Sequence, residues 1–584
     1  MKFFDFIKSF FIFTIKEIYS FFLKLLLAIV VFTIVFLIFA ASMGKILEQK
    51  NTVNKNYEYV VFNPYDPTED KLNNKLFVNS KYNVNFYKIV NSVDYIAQDP
   101  KVKGVIINLD QISLNSSQIE ELIPKFEKIK KSGKKIYAYG SYIDNNKYSL
   151  AVNASEISMV PSASADLSIT GYHYSSLYYK NLFDKLGIDI KVIHIGDFKS
   201  YGENYTRTSI SDELKGELTR IFDRRLDIFT ENISKARKID KNKLSADVMN
   251  GDSSFLTPFN ARDRGFIDKL EYSGQLFQRL GITDENIIDI YDYAAKMRVP
   301  EKKDKIAVIY AEGPIMYDEN TGNNIAITPV SIAEKIKQLK KVNNLKGVVL
   351  RINSPGGSAL SAELIYQMFS EMPVPVYVSM GSTAASGGYY IAMAGDKIFA
   401  DKSTITGSVG VVSTIPKIKK AAGNLGIDSS SITKGKYSDL YDPFVDLSEE
   451  STERLRTSMQ DTYKEFKSRV EKNRGISADK LEEYAQGKVW LGDEAKEIGL
   501  VDQIGSLDDT IQAMAKDLKL QNYSVEEIFV KEDYNKVLQR LSGYITAQVT
   551  LMDIPKVMNE IEFLKQNSAK PLYYLPYDIK SLVY

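Results

Sequence analysis

The spacing of apolar positions divides the chain into an apolar N-terminal stretch and two long regions where short apolar runs alternate with helical patterns. Leu25 to Met43 is 19 residues without a charge, long enough for a helix to cross the hydrocarbon of a bilayer. Ahead of it, Phe3 to Phe22 is rich in Phe and Ile with spaced lysines, a pattern that predicts an interfacial helix. Farther on, Ile306-Ala-Val-Ile-Tyr310, Gly347-Val-Val-Leu-Arg-Ile352 and Val374-Pro-Val-Tyr-Val-Ser379 predict buried strands. Between the first two, Val330 to Lys341 carries Ile332, Ile336 and Leu339 at helical spacing. Strand-helix-strand alternation predicts a layered α/β unit with a largely parallel sheet. Ser211 to Lys235 and Thr452 to Lys472 predict charged amphipathic helices that pack one unit on its neighbour. Beyond Glu526 come two further helical patterns and an extended Pro571-Leu-Tyr-Tyr-Leu-Pro576, in which the sequence shows no chemistry.

The α/β pattern occurs twice. Asp99-Pro-Lys-Val-Lys-Gly-Val-Ile-Ile-Asn108 aligns with Asn343-Asn-Leu-Lys-Gly-Val-Val-Leu-Arg351, and Lys135-Ile-Tyr-Ala-Tyr-Gly-Ser141 with Val376-Tyr-Val-Ser-Met-Gly-Ser382. Ser168-Ile-Thr-Gly171 matches Thr404-Ile-Thr-Gly407, and Leu186-Gly-Ile-Asp189 returns as Leu425-Gly-Ile-Asp428. The landmarks stay in order at a nearly constant separation, as a tandem duplication with small insertions requires.

Composition narrows the chemistry. Across 584 residues, 75 basic and 74 acidic side chains leave a net charge of +1, which gives no reason to expect nucleic-acid binding. With no cysteine, thiol catalysis, disulfides and cysteine-based zinc sites are excluded. The two histidines, His173 and His194, lack metal-ligand spacing and fit ordinary strand or loop positions, so a serine nucleophile here needs a base other than imidazole. Lys2, Lys8, Lys16 and Lys24 before the apolar stretch, against Lys45 and Lys50 after it, favour a cytoplasmic N-terminus. Ala40-Ala-Ser-Met-Gly44 offers small residues for cleavage, but a leader of that length is too long, so an uncleaved anchor is expected.

Met380-Gly-Ser-Thr-Ala-Ala-Ser-Gly-Gly-Tyr-Tyr390 places Ser386 on a strand-to-helix turn, where unpaired N–H groups favour developing negative charge. By itself the stretch fits a tight turn with Ser386 as helix cap equally well. The duplication supplies a control. Ser386 falls opposite Asn145, and Asn353-Ser-Pro-Gly-Gly-Ser358 opposite Asp110-Gln-Ile-Ser-Leu114, so only the second copy has a serine and a glycine pair there. Conversely, Gly196-Asp-Phe-Lys199 aligns with Gly435-Lys-Tyr-Ser438, so Lys199 faces Ser438 while Lys436 aligns with Asp197. Each copy holds what the other lacks.

On these residues the chain resembles the long, duplicated form of signal peptide peptidase A, a family of membrane-anchored Ser/Lys proteases. The likeness is densest in Leu350-Arg-Ile-Asn-Ser-Pro-Gly-Gly-Ser358, Met380 to Gly388, Thr406-Gly-Ser-Val-Gly410 and Ala485-Gln-Gly-Lys-Val-Trp-Leu-Gly492. It implies an α/β fold in which a crotonase/Clp-like spiral unit is duplicated after an N-terminal transmembrane helix. The division is 1–45 (interfacial segment and anchor), 46–300 (first repeat, with the base), 301–525 (second repeat, with the nucleophile) and 526–584 (tail). The resemblance also implies Ser386 as nucleophile, Lys199 as general base and Ser408 as the serine that orients the lysine. The N–H of Gly387 and one from the Gly356-Gly357 pair, Gly357 favoured, are the implied oxyanion donors, with no metal or organic cofactor. The implied substrates are short apolar peptides, chiefly signal-peptide remnants, handled by a homotetramer held on the lipid bilayer. The expected location is the bacterial inner membrane, single-pass, with the catalytic part periplasmic. A crotonase-type acyl-CoA enzyme and a non-catalytic membrane scaffold are the rival readings. A lysine takes a serine proton only when neutral, and its ordinary pKa is about 10.4, so the site has to be dry.

Overall fold

The β-branched runs become strands of two sheets, one per repeat, and the two sheets share one strand order. In the computed structural model the described residues are 56–70, 84–297, 300–317, 326–529 and 572–575. The expected membrane helix Leu25–Met43, the interfacial helix before it and the helical patterns between 530 and 570 lie outside them. Among the described residues no helix is long and apolar enough to cross a membrane. All elements below belong to the unit Glu58–Tyr584.

The first sheet runs, in space, Lys269–Leu270, Glu156–Met159, Lys135–Gly140, Gly104–Asn108, Tyr59–Phe62, Ile287–Asp289, all parallel. The second repeats that order as Gln503–Ile504, Lys397–Ala400, Val376–Ala385, Leu345–Ser354, Asp304–Glu312, Tyr523–Ile528, again parallel. The last strand crosses position 526, where the tail was expected to begin, because Asp304–Ile309 pair with it through Ile528. The strand ahead of Ser386 is also longer than its apolar run. Thr383 to Ala385 pair with Ile405 to Gly407, and that short strand pairs antiparallel with Val489–Leu491. These partners come from distant sequence, so local patterning did not show them.

The repeats are joined by three kinds of contact. The strand Asp189–Ile195 of the first pairs antiparallel with Val411–Lys417 of the second, residue for residue from Ile195↔Val411 to Asp189↔Lys417. The helix Asp212–Arg237, capped by Ser211, sets Leu214, Leu218 and Ile221 against Ala385, Ile405, Val489 and Leu491 of the second repeat. Its Arg224 pairs with Asp493 at 2.7 Å. The matching helix Glu449–Arg474 buries Met459, Phe466 and Val470 in its own repeat's core, where Ile193 of the first repeat also sits. Finally, the buried Arg351 bonds Glu69 at 3.0 Å and also Glu121, both from the first repeat, and donates to Met380 C=O at 3.0 Å. Ionic groups this dry persist only when paired, so the network fixes how the repeats seat beneath the Ser386 strand.

Candidate active site

Ser386 is the joint between two elements. The strand Val376–Ala385 ends beside it and the helix Gly387–Ala392 starts directly after. Its backbone holds φ 54° and ψ −115°, a conformation that costs a non-glycine residue roughly 1–3 kcal/mol. Two bonds enforce it: Ser386 N–H donates to Gly407 C=O and Tyr390 N–H donates to Ser386 C=O, both at 2.8 Å. The hydroxyl makes no bond to the helix it precedes, so the cap role fails. Instead Ser386 Oγ lies 2.7 Å from Lys199 Nζ.

Lys199 arrives from the first repeat on the loop that follows the strand Asp189–Ile195. The seven-pair ladder with Val411–Lys417 carries that loop to the second repeat. There Phe198 N–H donates to Gln486 C=O at 2.8 Å. A Cβ on Gly487 would stand 2.6 Å from Lys199 N, so the loop closes against a residue that must stay small. The amine meets Ser408 Oγ at 2.9 Å and Ser408 C=O at 3.0 Å. Ser408 itself has φ 55°, and its N–H donates to Lys488 C=O at 2.7 Å. Lys199 is 1% exposed, and burial holds its pKa well below the usual lysine range, with Glu217 opposing. The neutral amine that a base requires is the form this dry site favours.

The glycine pair resolves into two roles. Gly356 N–H donates to Ser354 Oγ at 3.1 Å and its C=O accepts from Ile315 N–H at 2.8 Å. Gly357, with φ +152°, turns its amide away from Ile315. A Cβ on Gly387 would sit 3.2 Å from Gly357 N. The amide nitrogen of Gly357 therefore lies against Gly387, the residue that follows Ser386. The edge formed by Gly356–Ser358 already carries an extended segment: Leu572–Tyr574 pairs with it antiparallel, and Leu575 N–H donates to Pro355 C=O at 2.8 Å. Leu575 is buried beside Ala385 and Leu218.

Comparison with known proteins gives the family. Peptidase family S49 matches residues 128–285 and 369–521, over half of the chain, and a Clp protease family matches residues 298–407. The chain belongs to peptidase family S49. This S49 chain is 31% identical to "Serine protease SPPA, chloroplastic" of Arabidopsis thaliana over 72% of its own length and 64% of the relative, just under two thirds. It is 28% identical to "Protease 4" of Haemophilus influenzae, covering 76% of itself and 75% of that protein. It is 36% identical to "Putative signal peptide peptidase SppA" of Enterococcus faecium, covering 41% of itself and 72% of the relative. The S49 chain is a serine protease with a duplicated S49 domain in a mixed α/β fold.

All six residues singled out in the sequence, Ser386, Lys199, Ser408, Gly387, Gly357 and Gly356, gather at this site of the S49 chain. Lys436 does not; it is exposed and pairs with Glu450. His194 lies on the strand Asp189–Ile195 with its ring nitrogen 3.0 Å from Gly196 C=O. One participant was missed. Glu217, on the helix Asp212–Arg237, accepts from Val489 N–H at 2.5 Å, and its second oxygen is buried without a partner. Burial pushes its carboxyl up to about 8, with Val489 N–H, Arg220, Lys199 and Lys488 opposing. In the sequence it is one acid among many on a charged helix. Leu572–Leu575 is extended as the sequence predicts, but its place on the Gly356–Ser358 edge was missed, since strand pairing across more than 200 positions leaves no local mark.

Proposed function

We propose that Ser386 is the nucleophile of this protease and Lys199 its general base. The observation that carries the reading is the 2.7 Å contact between Lys199 Nζ and Ser386 Oγ in a site dry enough to keep the amine neutral. Lys199 takes the hydroxyl proton as Oγ attacks the scissile carbonyl, and returns it to the leaving amine. Ser408 holds the amine in line without adding charge. The amides of Gly387 and Gly357 receive the oxyanion, each worth roughly 3–4 kcal/mol to the transition state. The groove accepts extended chain by strand addition, as its pairing with Leu572–Tyr574 supports.

The substrates are short apolar peptides, chiefly signal-peptide remnants, and Leu25–Met43 anchors the chain beside them in the bacterial inner membrane with the two repeats on the periplasmic side. Each repeat has the crotonase/Clp-like spiral fold, in line with the Clp protease match. The chain assembles as a homotetramer. Support for assembly comes from the repeats: 428–434, the counterpart of the strand Asp189–Ile195, is not a strand here. Around it Leu425 is 79% and Ile432 fully exposed. In the first repeat, 175–181, the counterpart of Val411–Lys417, likewise has no strand and leaves Leu177 exposed. Each chain thus offers both halves of a second inter-repeat ladder, which a head-to-tail ring closes.

Labelling with a fluorophosphonate probe tests the dyad. Wild type labels at Ser386, and Ser386→Ala and Lys199→Ala do not; labelling of Ser386→Ala at the wild-type level sinks the proposal.

A further inference from the structure

The first repeat contains a cavity of about 290 Å³ lined by Ile112, Leu114, Ile119, Asn145, Lys147 and Thr170, among others. Its walls are the duplicated counterparts of the Ser386 groove. Asn145 stands where Ser386 does, Ile112–Leu114 where the Gly356–Ser358 edge does, and Thr170-Gly171 where Thr406-Gly407 does. The correspondence is structural too: Tyr65 bridges Ser113 in parallel just as Ile315 bridges Gly357.

Two features separate this site from its twin. The chemistry is gone. Asn145 spends its amide on the wall, with Oδ1 accepting from Thr170 N–H at 3.1 Å and Nδ2 donating to Gly171 C=O at 2.6 Å. The edge also faces its neighbour with the other residue's backbone groups: Ser113 uses its own, where Gly357 does not. Ser113 N–H donates to Pro64 C=O at 3.1 Å, and Ser113 C=O accepts from Asp66 N–H at 2.9 Å. Backbone groups alternate along an extended chain, so Ile112 C=O and Leu114 N–H turn to the side opposite Tyr65, toward the cavity. Both residues are buried; Ile112 N–H closes the 3-10 turn Leu109–Gln111, while Ile112 C=O and the amide and carbonyl of Leu114 have no backbone partner among the described residues. Buried amides and carbonyls ask for partners. In the twin site that demand is met by an extended apolar segment, Leu572–Tyr574, laid antiparallel on the edge.

We propose that this cavity is a second, non-cleaving peptide site, in which an extended apolar peptide adds as a strand along Ile112–Leu114. The peptide's backbone meets Ile112 C=O and Leu114 N–H, and its side chains lie on Ile112, Leu114 and Ile119. The class of occupant rests on the reading that the Ser386 groove binds peptide; the site itself rests on the cavity and its unpaired edge. A chain with such a site holds one part of an unfolded substrate, or a released product, while another part is at Ser386.

The absence of cysteine from the chain makes a clean test available. Asn146→Cys, at the cavity wall, is introduced into the full chain carrying Ser386→Ala, so that no cleavage intervenes, and its modification by a maleimide is timed. A short Leu/Ala peptide is expected to slow modification at least about fivefold, whereas a Glu/Lys peptide of the same length leaves the rate unchanged. Lys147→Cys, on the same wall, reads the same protection if Asn146→Cys fails to fold. Equal rates with and without the Leu/Ala peptide overturn the second site. Fluorophosphonate labelling of Asn146→Cys with Ser386 intact decides the dyad separately, so a failed dyad and a failed second site give different results.

Discussion

Gly357→Ala puts the oxyanion geometry at risk with one carbon atom. A Cβ built on Gly357 stands 1.9 Å from Ile315 C=O oxygen and 2.8 Å from Ile315 N, inside any real contact distance. Ile315 cannot yield, because it is buried, its N–H is bonded to Gly356 C=O and its C=O to Ser358 N–H, both at 2.8 Å. The φ of +152° is itself a conformation that an alanine avoids. The loop therefore has to move, and the Gly357 amide leaves its place beside Gly387. Losing one preorganised donor lowers kcat roughly a hundred- to a thousandfold, about 3–4 kcal/mol. KM stays within about threefold, because the donor acts on charge that forms only in the transition state. Steady-state kinetics on a peptide amide, beside a urea melt to show that the variant is folded, measure both. A folded Gly357→Ala that keeps kcat within about threefold of wild type refutes the assignment of this amide.

Three further variants have definite expected outcomes. Lys199→Met abolishes turnover yet raises stability near neutral pH: the unfolded lysine binds a proton that the buried one does not, so the wild type loses stability as pH falls below about 10.4, and the methionine variant lacks that slope. A urea midpoint at pH 7 below that of wild type would show that the bonds to Ser386 and Ser408 outweigh desolvation. Glu217→Gln keeps an acceptor for Val489 N–H and, with the carboxyl pushed up to about 8, replaces a group that is already mostly neutral at pH 7, so kcat/KM at that pH stays close to wild type; a clear change there would show that Glu217 is charged beside the base. Glu217 has the opposite linkage sign to Lys199: its carboxyl, at about 8 in the fold against 4.5 unfolded, drains stability as pH rises through that window, and the glutamine variant should lose this dependence in urea melts at pH 5 and 8. Leu575→Asp dislodges the buried end of the strand on Pro355–Ser358, and KM for an apolar peptide falls several-fold; an unchanged KM would mean the strand yields to substrate freely.

The duplication, the α/β alternation and the complementary Ser386 and Lys199 could all be read from the chain, because each is carried by residue type at fixed offsets between two copies. A serine without a histidine partner and a copy that had lost its serine pointed to the lysine across 187 positions. What the linear pattern could not contain is who faces whom across the repeats. The lysine's reach depends on the ladder Asp189–Ile195 with Val411–Lys417, its burial on a loop that closes against Gly487 and Gly410, and the choice of Gly357 over Gly356 on which amide Ile315 and Ser354 leave unbonded. Burial, strand partnership and amide direction are properties of packed surfaces, and they exist only once the two repeats are seated on each other.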